Sequence, residues 1–221
     1  SQHPWRQRID SLLNLGVSAG ADLVEVFLER TDHLGVLAEQ DKITSVGPSF
    51  GMGAGIRVFR AGRDGFVSTN DLSDQGLEEA LQQALAMLQL NPSTLSSPGA
   101  FDGLGSLRDY GSSKNDWLDS TPDLVTITER LLEGTLCLEK HGQHLDVRRG
   151  SFARDWQEVL VAASDGTFAR DIRLHQSSGL SVLAADGEHR SSIARRYGST
   201  DRPDDLCLSL IHISEPTRPS S

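Results

Sequence analysis

Two histidines and two carboxylates lie close together in the second half of the sequence. His141 and His144 form an HxxH pair, with Glu139 before it and Asp146 after it. Imidazole and carboxylate groups bind zinc, but zinc sites place several such ligands at standard spacings. Gly142 and a predicted helix end separate the histidines, so the two rings need not share a face. We interpret them as solvated residues near a helix end and assign no metal ligand.

Three glycines at alternate positions suggest a different chemistry. Gly51, Gly53 and Gly55 lie in the segment FGMGAGIRVF. A GxGxxG dinucleotide loop would require glycine where this sequence has Ile56, followed at once by a helix. A predicted strand follows instead, and no GxxxxGK[ST] phosphate loop occurs. We interpret the glycines as places where another backbone, from a neighbouring strand or a bound peptide, comes close.

Motifs for nucleophilic or zinc-dependent catalysis are absent from the sequence. It contains no GxSxG, HExxH or HExxxH, and Cys137 lies within a helical pattern where packing is expected. His175 and His189 belong to a predicted strand and turn. Five arginines are interpreted as paired surface charges of an acidic chain: Arg148, Arg149, Arg154, Arg195 and Arg196. The residues alone therefore indicate a binding or scaffold module, with no catalytic, cofactor-binding or metal residue assigned.

Composition narrows the class of protein. The length of 221 residues is enough for one sizeable domain or two small ones, although the hydrophobic content of 37% is low, and the net charge is −10. An acidic chain is a poor candidate for nonspecific binding to nucleic acid or to an anionic membrane. Cys137 and Cys207 are far apart, which argues against a disulfide framework. No export signal or apolar span is evident, so we expect a cytoplasmic protein.

Hydrophobic periodicity predicts an α+β fold with mostly antiparallel sheets and about three helices, in which a helix followed by strands occurs twice. The first helix ends at Gly16 and Ser73 caps the second helix. The polar turn Ala61-Gly62-Arg63-Asp64 joins a predicted hairpin, and Asp-Gly pairs at 165–166 and 186–187 mark tight hairpins. Helices are predicted at residues 5–16, 74–90 and 122–141. Strands are predicted at residues 21–30, 33–40, 42–46, 55–60, 65–69, 144–152, 157–164, 168–174, 178–184 and 189–197.

Two segments interrupt this pattern. Residues 91–121 are rich in Pro, Gly and Ser and are predicted to be a long loop or linker within residues 1–206. Residues 208–218, LSLIHISEPTR, resemble a translated sequencing adapter. We expect residues 207–221 to be a non-native or disordered tail, and we exclude its His212 and Glu215 from any site.

Several segments together resemble the TldD/PmbA family of metallopeptidases. ADLVEVFLER, GMGAGIRVF and DGFVSTNDLS resemble its opening domain, and EVLVAASDGTFARDIRLHQSSGLSVLAADGEHRSS resembles later strands of the TldD-type member. The resemblance covers most of residues 5–200. It implies a cytoplasmic, dimeric protease that trims unfolded or small peptides, with zinc bound by an HExxxH helix in a C-terminal domain.

That zinc motif is missing from this sequence, so no catalytic residue is carried over. The resemblance implies an N-terminal part that frames the substrate chamber and the subunit contact, is inactive alone, and leaves an apolar patch exposed. Its exposed strand edges could hold an extended peptide. The alternatives are a non-enzymatic regulatory module of the gyrase-modulator type and a catalytically silent PmbA-type partner subunit. A reading frame that continues past Pro203 into an HExxxH helix would favour the peptidase.

Overall fold

The computed structural model describes residues 3–90, 101–111, 123–139, 145–186 and 188–199. Three helices and seven strands confirm the predicted α+β class. The elements are α1 (Arg6–Ser18), β1 (Leu23–Glu39), β2 (Lys42–Arg60), β3 (Arg63–Thr69), α2 (Asp74–Met87), β4 (Arg108–Asp109), α3 (Leu124–Glu139), β5 (Leu145–Ala163), β6 (Phe168–Asp186) and β7 (His189–Ser199).

Hydrogen bonds join the strands in the order β3-β2-β1-β5-β6-β4, with β7 on β6. The β2–β3 and β6–β7 pairs are antiparallel, whereas the short β4 pairs with β6 in parallel.

Four strands are about twice as long as the sequence predicted. The separate strands at 21–30 and 33–40 are one strand, β1, and β2 likewise joins 42–46 to 55–60. In the same way β5 and β6 each join two predicted strands. The predicted breaks between the shorter strands fall at glycine-rich or polar segments. The glycines of β2 have no positive φ, so the backbone stays extended there and the hydrogen-bonded ladder continues.

Turn chemistry was predicted more accurately than strand length. Ala61 and Gly62 have φ of 48° and 75°, and Arg60 pairs with Arg63, so a two-residue turn of the primed type closes the β2–β3 hairpin. Gly166 has φ of 94° in the β5–β6 turn. There the Oδ1 of Asp165 accepts a hydrogen bond from the Thr167 amide at 2.9 Å. This hydrogen bond lowers the pKa of Asp165.

The end of α1 differs from the prediction. Gly16 lies inside the helix, which continues to Ser18, and the chain reverses at Gly20 with φ of 97°. A Cβ on Gly16 would lie 2.7 Å from Cγ2 of Val24. The glycine therefore allows the helix to approach β1 closely and does not terminate the helix.

The start of α2 matches the prediction, whereas α3 begins at Leu124, two residues after its predicted start. Ser73 caps α2, since its Oγ accepts a hydrogen bond from the Gly76 amide at 3.0 Å. Before α3, the Oδ1 of Asp123 accepts from the Thr126 amide at 2.7 Å, which lowers the pKa of Asp123. No helix within the described parts of the chain is long and apolar enough to cross a membrane. The 91–121 loop prediction falls partly, and the 207–221 tail prediction wholly, outside the described residues.

The chain divides into two compact units. Unit 1 comprises Ser1–Thr31, Gly51–Ser112 and Gln157–Ile172. Its core packs α1 and α2 on one face of the strands, where alternate residues such as Val24, Val26 and Leu28 are buried. The described residues contribute 22 buried side chains to this core.

Unit 2 comprises Asp32–Phe50, Ser113–Trp156 and Arg173–Ser221. Here α3 packs on one face of the strands through Ile127 and Leu131, which are 1% exposed. Its core holds six buried residues among those described: Val36, Ala38, Ile127, Leu131, Phe152 and Leu180. The alternate residues of these strands, including Leu37 at 50% exposure, lie on the face opposite α3. We call this the open face of unit 2.

Candidate functional site

Gly51, Gly53 and Gly55 of β2 lie in unit 1, against groups of the same unit. A Cβ on Gly51 would lie 2.8 Å from Oγ1 of Thr31, and one on Gly53 would lie 3.2 Å from Oδ1 of Asn70. A Cβ on Gly55 would lie 3.0 Å from the ring of Phe66. Side chains of this chain thus occupy the space above each glycine. That a bound peptide also approaches there stays a prediction.

Aromatic side chains flank Gly55 and stay accessible. Phe66 is 55% exposed and Phe27 is 39% exposed, and Cβ of Phe27 lies 3.9 Å from the position of a Cβ on Gly55. Because Gly55 has no side chain, the Phe66 ring lies across its strand. This local arrangement exposes apolar surface on the face of unit 1 opposite its two helices.

The strand β7 offers a different kind of surface. It pairs with β6 through 11 consecutive residues, from Gln176 opposite Ser199 to Asp186 opposite His189. Within the described residues, no strand pairs with its other side. Residues 189–198 are exposed, including Ile193 at 59% and Tyr197 at 45%. A strand of this kind presents unpaired main-chain donors and acceptors to an extended ligand.

Three of the five singled-out arginines are paired, as predicted. Arg149 contacts Glu39 at 2.7 Å, Arg154 contacts Asp32 at 2.8 Å and Arg148 contacts Glu139 at 3.5 Å. For the other two the prediction is wrong. Among the described residues the guanidinium of Arg196 has no ion-pair or hydrogen-bond partner, and that of Arg195 donates only to the carbonyl of Ala194 at 3.4 Å. Strand β7 thus carries guanidinium groups that no described carboxylate contacts.

The residues considered for metal binding do not assemble a site. His141 and His144 fall outside the described residues, and Glu139 is engaged by Arg148. His175 is exposed on β6, and Cys137 is half-buried on α3. No group of three or more His, Cys, Asp or Glu in the described ranges could hold a metal. The residues described here therefore do not fit a zinc ion.

Sequence reasoning missed two polar clusters that the strands assemble. In unit 2, Nδ1 of His33 lies 2.6 Å from Oδ1 of Asp155, with both side chains exposed. These residues are 122 positions apart, so only strand pairing brings them together.

In unit 1, Arg170 bonds to Glu158 at 2.6 Å and to Asp109 at 3.1 Å. Partial burial lowers the pKa of Arg170, but these hydrogen bonds and charges outweigh it and raise the pKa. Burial and the nearby Arg170 charge lower the pKa of His3. Both clusters lack a nucleophile or a metal set, and we interpret them as structural.

Comparison with known proteins identifies the family. The family model for PmbA/TldA metallopeptidase domain 1 matches residues 24–88. The model for the PmbA/TldA metallopeptidase central domain matches residues 115–214. Together the two family models cover more than half of the chain. The chain belongs to the PmbA/TldD metallopeptidase family. The recognition made from the sequence motifs is thus confirmed.

A curated relative supports the family over part of its length. The Metalloprotease TldD homolog of Haemophilus influenzae is 25% identical over 138 residues, which are 62% of this chain and 28% of that protein. The PmbA/TldD chain described here thus spans a minority of its relative's length.

Solved structures share the fold. TldE from Thermococcus kodakarensis matches with a TM-score of 0.66 and 18% identity, over 93% of this chain and 46% of that one. A proposed modulator of DNA gyrase from Bacteroides thetaiotaomicron matches with a TM-score of 0.67 and 15% identity, over 94% and 48%. A proposed modulator of a DNA gyrase from Thermotoga maritima matches with a TM-score of 0.67 and 12% identity, over 98% of this chain and 50% of that one. At these identities the likeness concerns the fold, and this chain spans about half of each structure.

Proposed function

We propose that this chain frames the substrate chamber and the subunit interface of a zinc-dependent metallopeptidase that acts on unfolded or small peptides. The observation that carries the proposal is the match to two consecutive metallopeptidase domain models along one chain. Residues other than those described would hold the zinc, so the described units bind and orient the peptide and perform no bond cleavage. The chain is inactive by itself.

The β7 edge supports the peptide-binding role. A peptide in extended conformation would add as a further strand, with its main chain hydrogen-bonded to the free side of β7. Ile193 and Tyr197 are four positions apart, so their side chains project from the same face of the strand and would contact alternate side chains of the peptide. Main-chain pairing depends little on peptide sequence, which suits unfolded substrates.

The proposal extends to partners and location. We propose that the chain works in a homo- or hetero-dimer with a TldD/PmbA-type subunit, because its relatives include proteins described as TldD and TldE. The two isolated cysteines favour a reducing, cytoplasmic compartment.

Peptide binding by the 221-residue chain tests this function. We expect an unfolded model peptide to bind without added zinc and to stay intact. A peptide carrying N-methyl groups at one set of alternate residues should lose binding, whereas the other set should be tolerated, because only alternate amides face a neighbouring strand. Calorimetry with the three peptides measures this.

A matched pair of variants locates the binding surface. Tyr197→Ala should weaken peptide binding, and Tyr110→Ala, which removes an exposed tyrosine from unit 1, should not. Equal binding of both methylated peptides would exclude main-chain pairing. Stoichiometric tight binding of zinc to this chain would contradict the claim that the zinc ligands lie elsewhere.

A further inference from the structure

A cleft on the open face of unit 2 carries unpaired cationic groups. Its volume is about 270 Å³, slightly below the roughly 300–1,000 Å³ of pockets for drug-sized ligands. It can therefore receive one amino-acid residue. Its lining includes Leu37, Glu39, Arg149, Ser151, Gly179, Leu180, Ser181, Ala194, Arg195 and Arg196.

Small residues form the floor of the cleft. Gly179 on β6 pairs with Arg196 on β7, and Ser181 pairs with Ala194. Residues paired directly across antiparallel strands project from the same face, so the side chain of Arg196 rises beside the bare position of Gly179. A Cβ on Gly179 would lie 3.1 Å from the carbonyl oxygen of Arg195 and 3.3 Å from Oγ of Ser151. A residue larger than glycine at position 179 would therefore crowd these two oxygens.

Several hydrogen-bond donors in the cleft have no acceptor among the described residues. Within the described residues, the guanidinium of Arg196 contacts no carboxylate. Arg149 donates through Nε to Oε2 of Glu39 at 2.7 Å, and its terminal nitrogens make no hydrogen bond to a described residue. The one carboxylate in the lining is therefore already neutralised, and the serine hydroxyls add two further donors.

We propose that this cleft binds a carboxylate group of a peptide, either the C-terminal carboxylate or an Asp or Glu side chain. Guanidinium groups pair with carboxylates through charge-assisted, often bidentate hydrogen bonds, and the surplus positive charge stands out in a chain of net charge −10. The choice of a peptide rests on the function proposed above. The cleft adds a preference among peptides that main-chain pairing alone would not give.

Three peptides distinguish the sources of the carboxylate. They share one neutral sequence of Ala and Ser residues; the first ends in a free carboxylate, the second is amidated, and the third is amidated with one internal Glu. Titration calorimetry with the 221-residue chain at low salt should show the second binding about fivefold more weakly than the first or the third. The stronger of those two identifies the source. The difference should shrink as salt is added.

Variants assign the preference to the cleft. Arg196→Gln should remove it, and Ala194→Leu, which fills the cleft at an exposed strand position without changing charge, should also reduce it. The control is Arg190→Gln on the same strand, which removes the same charge outside the cleft lining and should retain the preference.

Each outcome decides one of the two proposals. Equal affinity for all three peptides, or equal effects of the two arginine variants, would overturn the cleft assignment while peptide binding stands. Failure of every peptide to bind would overturn the peptide-binding function itself. Circular dichroism of each variant confirms that a loss of preference does not come from unfolding.

Discussion

Units 1 and 2 use the same strands-and-helix construction with different packing. In unit 1, two helices cover the strands and 22 described residues form one buried cluster. In unit 2, one helix covers the strands and the described cluster has six residues. Buried polar side-chain atoms without a described hydrogen-bond partner occur in unit 2, on Gln40, Arg148, Arg154, Gln176 and Ser178.

The two units also expose different surfaces. The space above Gly51, Gly53 and Gly55 in unit 1 is filled by side chains of the same unit, namely Thr31, Asn70 and Phe66. Unit 2 leaves one side of β7 unpaired within the described residues and carries the free guanidinium of Arg196. An unmade hydrogen bond or ion pair costs free energy in the folded chain, so groups left available are candidates for binding. Among the described residues, unit 2 thus leaves more main-chain and guanidinium groups available to a ligand than unit 1 does, in line with the function proposed above.

The largest expected effect comes from matched core truncations. Leu81 in α2 and Leu131 in α3 are 0% and 1% exposed, respectively. Leu81→Ala should lower the free energy of unfolding by about 3–5 kcal/mol, and Leu131→Ala by about 2–3 kcal/mol, because the smaller core of unit 2 relaxes more readily around a cavity. Urea denaturation measures both. An equal or reversed order would contradict the difference in packing.

The second largest expected effect on stability comes from replacing strand glycines with alanine. A Cβ on Gly65 in unit 1 would overlap the backbone oxygen of Ala84, whereas nothing lies within 4 Å of one on Gly47 in unit 2. Gly65→Ala should therefore destabilise the chain by about 1–3 kcal/mol through overpacking of β3 against α2. Gly47→Ala should change stability by at most about 0.5 kcal/mol. Thermal unfolding of the two variants compares them, and a harmless Gly65→Ala would show that α2 packs loosely.

The smallest effect concerns pH and should be alike in both units. Hydrogen bonds from the Thr167 and Thr126 amides lower the pKa of Asp165 and Asp123, respectively. A lowered folded-state pKa means that the ionised carboxylate stabilises the fold above its ordinary pKa, and that this contribution disappears as pH falls through the folded-state pKa. Asp165→Asn and Asp123→Asn should each slightly reduce the urea midpoint at pH 7. The difference from the parent chain should vanish at the most acidic pH; a constant difference would argue against the carboxylate charge.

Local chemistry was predictable wherever adjacent residues decide the backbone. Ser73 caps its helix, and Asp165-Gly166 turns the chain where the sequence placed it, because these side chains bond to amides two or three positions away. The α+β class followed from hydrophobic periodicity for a similar reason. Strand length was not predictable, since Gly47 to Gly53 can be either a turn or an extended ladder, and strand pairing decides between them.

The family, the start of α2 and the tight turns were predictable from the sequence, because each depends on residues close together along the chain. The tertiary structure decided which groups meet across long separations. Gly16 lies against Val24, and Arg149 forms an ion pair with Glu39, 110 positions away. Arg196 lies opposite Gly179 in the β6–β7 pair and lines the cleft. Strand register sets these neighbours, and register depends on the whole buried face of each strand rather than on any local motif.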